Sequence, residues 1–248
     1  YKLKSSYIII DFFISIYDTF VFDRKNFKEG GLAAKILKKI DIITLLTADK
    51  VISDTKEHGK YFIEEFGLDI NKLEVLYLKA DTRIYNPCQQ TKKPEKIRNK
   101  FVVLYFGSVL PLQGIECVLE ALEILSKEKD IYFYMIGPIS KKYNKPYSNN
   151  IEYIDWLTQD KLADYISFSD LCLAGHFNNE INKAKRTIPG KAYIYHHMGK
   201  PMILGDNKAN REIFDESMEG IFLAEMGNPN ELANKIKEIK SLKDIKHE

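Results

Sequence analysis

The sequence predicts an α/β protein with one complete doubly wound domain and part of a second α/β domain. From residue 101 onward, short β-branched or aromatic runs that end in a glycine or a turn alternate with segments of helical period. Such alternation is typical of βα units on a parallel sheet. A shorter alternation precedes it at residues 48–78, and a basic segment at residues 87–100 separates the two.

The C-terminal domain is predicted to cover residues 101–248. Short β-branched and aromatic runs predict strands at 101–106, 131–136, 151–154, 171–174 and 202–204. Apolar residues three and four positions apart predict helices at 115–129, 158–168, 191–198 and 231–242.

The preceding part is predicted to be a partial α/β domain over residues 1–88. It contains a strand at 48–53, a helix at 55–66 and a strand at 73–78. Residues 89–100 form the predicted linker, in which five basic residues accompany the single acid Glu95. A solvated interdomain linker is the favoured interpretation, and a contact with an anionic membrane surface is the alternative.

The composition excludes several classes of protein. Since 37 Lys and Arg oppose 35 Asp and Glu, the net charge of +2 gives no electrostatic reason to expect a nucleic-acid partner. The three cysteines form no disulfide or zinc pattern. Asp11 and Asp18 interrupt the apolar run at 7–22, well short of the ~20 residues that a spanning helix needs. We therefore expect a cytoplasmic protein, and because the sequence opens on Tyr1 we expect the natural polypeptide to extend further upstream.

The first strand-to-helix turn of the C-terminal domain is a candidate ligand site, because ligands of open parallel sheets bind beyond the carboxyl ends of the strands. It begins at Gly107-Ser108 and ends at Gln113-Gly114, and its two glycines let the backbone approach a ligand. The turn matches neither a Walker A loop nor a dinucleotide fingerprint. Gly137 ends the next strand in a similar way.

A basic segment marks a second candidate site. Between residues 181 and 205 there are five basic residues and no acid, namely Lys183, Lys185, Arg186, Lys191 and Lys200. Thr187 is suited to cap the helix that follows, and Gly190 lets a ligand come near its N-terminus. This pattern predicts an anion site for a diphosphate, with Arg186 and Lys191 as its cations and the other lysines as solvated surface.

Two further residues have open interpretations. The ring of His176, which follows a predicted strand, could face the ligand crevice or be a hydrogen-bonded structural histidine. Trp156, the only tryptophan, could stack on a base or sugar, although filling the core is the favoured interpretation. No metal-ligand spacing is present, so no metal is expected.

Several linked motifs resemble, in order and at suitable spacing, the nucleotide-sugar half of the group 1 (family 4) glycosyltransferases. They are Leu104-Tyr105-Phe106-Gly107, Pro111-Leu112-Gln113-Gly114, Met135-Ile136-Gly137, Ile188-Pro189-Gly190-Lys191, Gly199-Lys200-Pro201-Met202-Ile203 and Arg211-Glu212-Ile213. Residues 48–87 are similar to the last portion of the N-terminal domain of that family.

The resemblance implies a GT-B fold, in which two Rossmann-like domains bind the donor and the acceptor, with residues 1–88 a remnant of the acceptor domain. It implies transfer of a sugar, with retention, from a nucleotide-diphosphate sugar to a cell-envelope glycan or lipid-linked acceptor in polysaccharide biosynthesis. The resemblance further implies that neither a metal nor a cofactor is needed, and that the protein is cytoplasmic, with a peripheral contact at the inner membrane face as an option. The alternative is a non-catalytic nucleotide-sugar-binding fragment or subunit, with a partner chain that supplies the missing N-terminal part.

The sequence departs from the pattern of the family at four donor contacts. The usual Arg and Lys of the glycine turn are replaced by Ser108 and Gln113, and the two usual glutamates fall on Arg186 and Ile194. We therefore expect a rearranged donor site, with the catalytic residues Arg186, Lys191 and His176 and with donor contacts from Gly107, Ser108, Gln113, Gly114, Gly137, Trp156, Thr187 and Gly190.

On the acceptor side, Asp54 and His58 lie four residues apart at the start of a predicted helix and therefore on one face. We expect this face to border the acceptor. The alternative is that Asp54 only caps the helix.

Overall fold

The computed structural model describes residues 6–108 and 110–245. The chain divides into two compact units. Of the described residues, unit 1 comprises 6–78, 180–188 and 207–213, and unit 2 comprises 79–108, 110–179, 189–206 and 214–245. The two short segments of unit 1 fall inside the range that the sequence predicts for the C-terminal domain.

Unit 2 contains a six-stranded parallel sheet in the order β6-β5-β4-β7-β8-β9. Its strands are β4 (Phe101–Phe106), β5 (Ile131–Ile136), β6 (Ile151–Ile154), β7 (Leu171–Gly175), β8 (Met202–Gly205) and β9 (Ile221–Ala224). Its helices are α3 (Ile115–Leu125), α4 (Gln159–Phe168), α6 (Gly190–His197) and α7 (Pro229–Ile245). The sequence predicts all of these elements except β9, with shifted ends for several.

The core of unit 2 forms because its central strands are apolar on both faces, as expected of a parallel sheet covered by helices. Every residue of β7 is buried, and so are five of the six residues of β4. Val118, Leu122 and Leu125 of α3 have no exposed surface. Burying each such side chain contributes roughly 1.5–3 kcal/mol, so this face of α3 holds the helix on the sheet.

The strand order locates the ligand-binding edge of unit 2. The chain passes from β4 outward through β5 and β6, then returns to the other side of β4 with β7 and continues through β8 and β9. The order therefore reverses between β4 and β7. In open α/β sheets the crevice at such a switch point, beyond the carboxyl ends of the strands, is the usual ligand site.

Unit 1 contains a three-stranded parallel sheet in the order β1-β2-β3. Its strands are β1 (Ile9–Asp11), β2 (Lys50–Ser53) and β3 (Leu73–Val75), and its helices are α1 (Leu32–Thr47), α2 (Lys56–Phe66) and α5 (Asn182–Arg186). An aromatic cluster fills the core, with the rings of Phe12 and Phe62 edge to face at 4.9 Å. The sequence pattern does not predict β1, α1 or α5, and β3 is shorter than predicted.

The predicted solvated linker at 89–100 is wrong, because this segment is bound to unit 2. The Lys93 ammonium lies 2.5 Å from the Asp170 carboxylate, and Lys96 lies 2.5 Å from Glu152. Ile97, within the same segment, is fully buried. Lys93 and Lys96 therefore hold the segment on unit 2 by ion pairs.

Among the helices in the described ranges, none combines the length and the apolar character that a crossing of a bilayer would require.

Candidate functional site

Two glycines bring the turns after β4 and β5 into close contact. Gly137 follows β5 with a φ of +130°, and a Cβ atom on it would lie 2.1 Å from the carbonyl oxygen of Gly107. No side chain fits at this distance. The backbone at the carboxyl edge of β4 is therefore fixed by its neighbour.

A second close approach fixes the turn before α3. Gly114 has a φ of +66°, and a Cβ atom on it would lie 2.4 Å from the backbone nitrogen of Asn178. The Phe177 N–H donates to the carbonyl of Gln113 at 3.1 Å. These contacts seat the turn against the segment that follows β7, so that the predicted residues Gly107, Gln113 and Gly114 lie at the switch point.

Lys191 lies in the first turn of α6 and points its ammonium at the end of β4. Its Nζ donates to the carbonyl of Phe106 at 2.9 Å and to the Gln113 side-chain oxygen at 3.0 Å. It also lies 3.8 Å from the centre of the Tyr105 ring. The residue is only 6% exposed.

All of these contacts of Lys191 are with uncharged groups. No carboxylate in residues 6–108 or 110–245 forms a salt bridge with it, and burial holds its pKa well below the ordinary value of a lysine. A buried charge without a counterion is costly. An anion at this edge of the sheet would therefore be stabilised by Lys191 and would in turn favour its protonated form.

Gln113 orients Lys191. Its Oε1 accepts hydrogen bonds from the Tyr105 hydroxyl at 2.6 Å and from Lys191 Nζ. Because an ammonium only donates, a flip of the amide would break its bond with Lys191. The charge count of the sequence indicates Lys191, but it gives no sign of the positions of Tyr105 and of the Phe106 carbonyl.

The remaining predicted residues of unit 2 differ in their exposure. Ser108 and Gly190 are exposed, and a Cβ atom on Gly190 would meet no atom within 4 Å. His176 is buried at the end of β7. Trp156 follows β6 and is 73% exposed, so the favoured core-filling interpretation of this residue is wrong. Its exposed ring is free to stack on a ligand.

The expectation that Thr187 caps α6 is also wrong. Its Oγ1 donates to the carbonyl of Lys183 at 3.0 Å, and Thr187 is the residue that ends α5. The residue before α6 is Pro189, which offers no side-chain cap. The Thr187 hydroxyl thus bonds within the unpredicted helix α5, and it is not available to cap α6.

Arg186 belongs to unit 1 and is not a free cation. Its Nη2 donates to both carboxylate oxygens of Asp18 at 2.9 and 3.0 Å, and its guanidinium lies 3.6 Å from the centre of the Tyr61 ring. Asp18 is 1% exposed. This buried ion pair places α5 in unit 1. Asp18 already neutralises the positive charge of Arg186, which the sequence pattern predicts as a cation for the diphosphate.

Asp54 and His58 are in contact, as their spacing predicts. The Asp54 carboxylate lies 2.6 Å from Nδ1 of His58, which is fully buried. The alternative that Asp54 caps α2 is wrong, because the Thr55 hydroxyl accepts from the His58 N–H at 3.0 Å. The His58 Nε2 has no hydrogen-bond partner within the part of the chain that the structure describes.

Glu212 caps the same helix from a distant part of the sequence. Its carboxylate accepts from the backbone N–H groups of Lys56 and Glu57 at 2.8 and 2.9 Å, and from the Tyr77 hydroxyl at 2.7 Å. Burial and this carboxylate raise the pKa of Tyr77 to about 12. In the sequence, Glu212 belongs to a motif, but no local pattern indicates this capping role.

Within the described ranges, no group of three or more His, Cys, Asp or Glu side chains could hold a metal ion.

Comparison with known proteins identifies a family. The sequence model of the family described as Glycosyl transferases group 1 matches residues 100–241. No significant match is found among curated proteins.

Solved structures share the fold. A glycosyltransferase from Rickettsia africae ESF-5 superposes with a TM-score of 0.63 at 21% identity, covering 84% of this chain and 57% of that one. Sucrose-phosphate synthase from Thermosynechococcus elongatus superposes with a TM-score of 0.66 at 14% identity, covering 92% of this chain and 56% of that one. Anabaena HepE in complex with UDP and glucose superposes with a TM-score of 0.63 at 17% identity, covering 87% of this chain and 58% of that one. The chain thus spans less than two thirds of the length of these structures, and the predicted α/β fold of GT-B type is confirmed.

Proposed function

Because the chain belongs to the family of glycosyl transferases group 1, we propose that it provides the donor-binding part of a glycosyltransferase whose donor is a nucleotide-diphosphate sugar. The burial and position of Lys191 carry this proposal. This residue is a buried lysine at the switch point of the unit 2 sheet, and its acceptors are uncharged. A diphosphate is the anion that a donor of this family would bring to it.

The chemistry of the site would be electrostatic. As the bond between sugar and diphosphate breaks, negative charge grows on the diphosphate, and Lys191 stabilises that charge. The open N-terminus of α6 at Gly190 adds backbone N–H groups and the positive end of the helix dipole. Stabilisation by fixed donors of this kind is often the largest contribution to enzymatic rate, so no protein nucleophile is needed.

The acceptor and the stereochemistry are further parts of the proposal. Family resemblance favours transfer with retention to a cell-envelope glycan or lipid-linked acceptor, in polysaccharide biosynthesis at the inner face of the cytoplasmic membrane. In unit 1, Asp54 holds Nδ1 of the fully buried His58 ring, so His58 would position the start of α2 beside the acceptor rather than touch it. His58→Ala should then raise the KM for the acceptor. Unchanged kcat and KM would remove His58 from the proposal.

A second candidate function is nucleotide-sugar binding without catalysis, in a subunit that acts with a partner chain. It is favoured by the replaced donor contacts Ser108, Gln113 and Ile194 and by the pairing of Arg186 with Asp18. In this case the site would bind a donor through Lys191 without the other charges that the family commonly uses.

Thermal unfolding in the presence of UDP, GDP, CDP, ADP and their sugars tests both functions. A ligand at 100 times its Kd stabilises the native state by about 2.7 kcal/mol, which raises the Tm of a protein of this size by roughly 5–10 °C. Release of nucleotide from the stabilising sugar nucleotide would support the enzyme. Stabilisation without release, in the presence of glycan and lipid-linked acceptors, would favour the binding subunit. No response to any of these compounds would contradict both functions.

A further inference from the structure

A cavity of about 560 Å³ lies at the amino ends of the strands of unit 2, at the edge of the sheet opposite Lys191. Among its lining residues, Phe101 begins β4, and Asp170, Pro201 and Gly220 directly precede β7, β8 and β9. Because the strands are parallel, these positions mark one edge of the sheet. Pockets for small molecules have volumes of roughly 300–1,000 Å³. The cavity is therefore large enough for a ligand that does not compete with a donor at Lys191.

The walls of this cavity are mainly apolar. Phe101, Phe168 and Ile239 are buried and are between 6% and 8% exposed. Phe222 is half-buried, and Leu242 near the end of α7 is 48% exposed. An apolar chain in the cavity would cover the two last side chains and remove them from water, which is favourable.

The acid at the base of the cavity is already paired. The Asp170 side chain is 6% exposed, and its carboxylate pairs with the ammonium groups of Lys93, at 2.5 Å, and of Lys243. The same carboxylate accepts from the Val102 N–H at 2.7 Å. Glu219, which also lines the cavity, is exposed. Asp170 thus has two cationic partners.

Lys200 adds a third ammonium group to this cavity, although the sequence pattern predicts it as a solvated surface residue. The side chain is half-buried and donates to the carbonyls of Ser167 and Ser169, the latter at 3.2 Å. These bonds satisfy carbonyls at the end of α4. No carboxylate in residues 6–108 or 110–245 pairs with Lys200. Burial lowers its pKa, and the charges of Lys243 and Lys93 lower it further, so an anion here would stabilise the ammonium.

We propose that this cavity binds a free aliphatic carboxylate, with its head group at the ammonium of Lys200 and its chain along Phe222 and Leu242. The inference rests on unit 2 alone and is independent of the proposed donor chemistry.

The charges and the walls favour this occupant. Three ammonium groups, of Lys93, Lys200 and Lys243, accompany the two carboxylates of Asp170 and Glu219, so a single negative charge completes the balance. A carboxylate carries one charge, whereas a phosphate ester carries roughly 1.5 to 2. The mainly apolar walls offer few of the hydrogen bonds that a sugar or a nucleoside requires.

Titration calorimetry with butyrate, hexanoate, octanoate and decanoate tests the inference. The affinity should rise along this series, by up to about fourfold for each methylene that becomes buried. Decanol has the same chain without the charge, and it should bind at least about tenfold more weakly than decanoate because it forms no ion pair with Lys200.

Two substitutions on one helix locate the binding site. Leu242→Glu adds a negative charge to the cavity wall and should weaken decanoate binding at least about tenfold. Ile245→Glu is the matched control, because Ile245 is 68% exposed on α7 and does not line the cavity. It should bind decanoate as the parent protein does. Both positions are exposed, so the two variants should unfold at the temperature of the parent.

Lys200→Gln tests the head group. The glutamine keeps a donor for the carbonyls at the end of α4 but removes the charge. Its affinity for decanoate should fall at least about tenfold, to that of decanol, while decanol binds as before. Equal losses for the two compounds would show that the substitution only damages the cavity, and this result would overturn the role of Lys200.

Other results would overturn the inference as a whole. They are an absence of decanoate binding, equal affinities in Leu242→Glu and Ile245→Glu, and displacement of decanoate by UDP, which would place the carboxylate at the donor edge. Self-association that Leu242→Glu alone abolishes would identify a second copy as the occupant, and binding only to phosphatidylglycerol vesicles would identify a membrane. A failure of UDP to bind would contradict the proposed function and leave decanoate binding unchanged.

Discussion

Replacement of Lys191 by methionine should weaken the binding of a nucleoside diphosphate by about one to two orders of magnitude, while the nucleoside binds as before. The ammonium is buried and its protein acceptors are uncharged, so that a contact with phosphate forms in a region largely without water. A charge-assisted hydrogen bond contributes roughly 1.5–3 kcal/mol, and about 1.4 kcal/mol corresponds to a tenfold change in Kd. Methionine keeps most of the apolar stem.

The same residue should make this affinity depend on pH. Burial lowers the pKa of Lys191 in the free protein, and a bound diphosphate would raise it. Between these two pKa values the complex holds more protons than the free protein, so binding takes up a proton and the affinity falls as the pH rises, by up to about tenfold per unit. Below the pKa of the free protein, the affinity should not change through this group.

The free energy of unfolding should change with pH in the opposite direction to the affinity. The pKa of Lys191 is lower in the folded than in the unfolded state, where it is about 10.4. The unfolded state therefore binds more protons between the two pKa values, and the free energy of unfolding should rise with pH in that window. Below the folded-state pKa, the full cost of burying the charge remains.

Titration calorimetry in two buffers of equal pH but different ionisation enthalpy measures both the affinity and the proton uptake. The matched variant is Gln113→Glu, which puts a carboxylate about 3.0 Å from Lys191 Nζ. It should keep the lysine protonated, abolish proton uptake and weaken diphosphate binding. Equal Kd values for the parent protein and Lys191→Met, or equal losses for diphosphate and nucleoside, would refute the reasoning.

Three further predictions concern stability and exposure. Gly137→Ala should destabilise unit 2 by at least about 2 kcal/mol, because its Cβ would lie 2.1 Å from a carbonyl oxygen. The control Gly190→Ala should not destabilise it, and similar urea midpoints for the two variants would contradict this prediction. Asp18→Asn should cost roughly 3–5 kcal/mol by leaving Arg186 without its counterion, and a loss below about 1 kcal/mol in urea unfolding would show that the pair is dispensable. Trp156→Ala, at a 73% exposed position, should change stability by less than about 0.5 kcal/mol; a larger loss in thermal unfolding would mean that the ring is packed.

The sequence predicted most strands of unit 2 because each is a short apolar run bounded by a turn, which is a local signal. It did not predict α1, because a helix with apolar residues both on its exposed side (Ile36, Ile40) and on its buried side (Leu45) lacks the one-sided period by which helices are recognised. Helix α5 has only five residues, too few to show any period.

The candidate site was predictable only where a local sequence pattern marks its residues. The absence of acids between residues 181 and 205 indicated Lys191, and the glycine turn was visible as a motif. The partner of Arg186 lies 168 residues away in the sequence, and no local pattern reveals such a pairing. Because such pairings are invisible in the local sequence, Arg186 and Lys191 were both predicted to bind the diphosphate. Of these two residues, Lys191 alone lacks a counterion in the described ranges.

The capping of α2 by Glu212 has a consequence for the order of events during protein synthesis. The strands and helices of unit 1 up to residue 78 emerge first, but Glu212 and the counter-cation of Asp18 are translated more than 100 residues later. At about 5–20 residues per second, the nascent N-terminal segment waits several seconds or more with a buried aspartate unpaired and a helix end uncapped. Unit 1 can reach its final stability only after residue 213 has been made, so a ribosome that stalls between the two regions would release a segment exposed to aggregation and proteolysis.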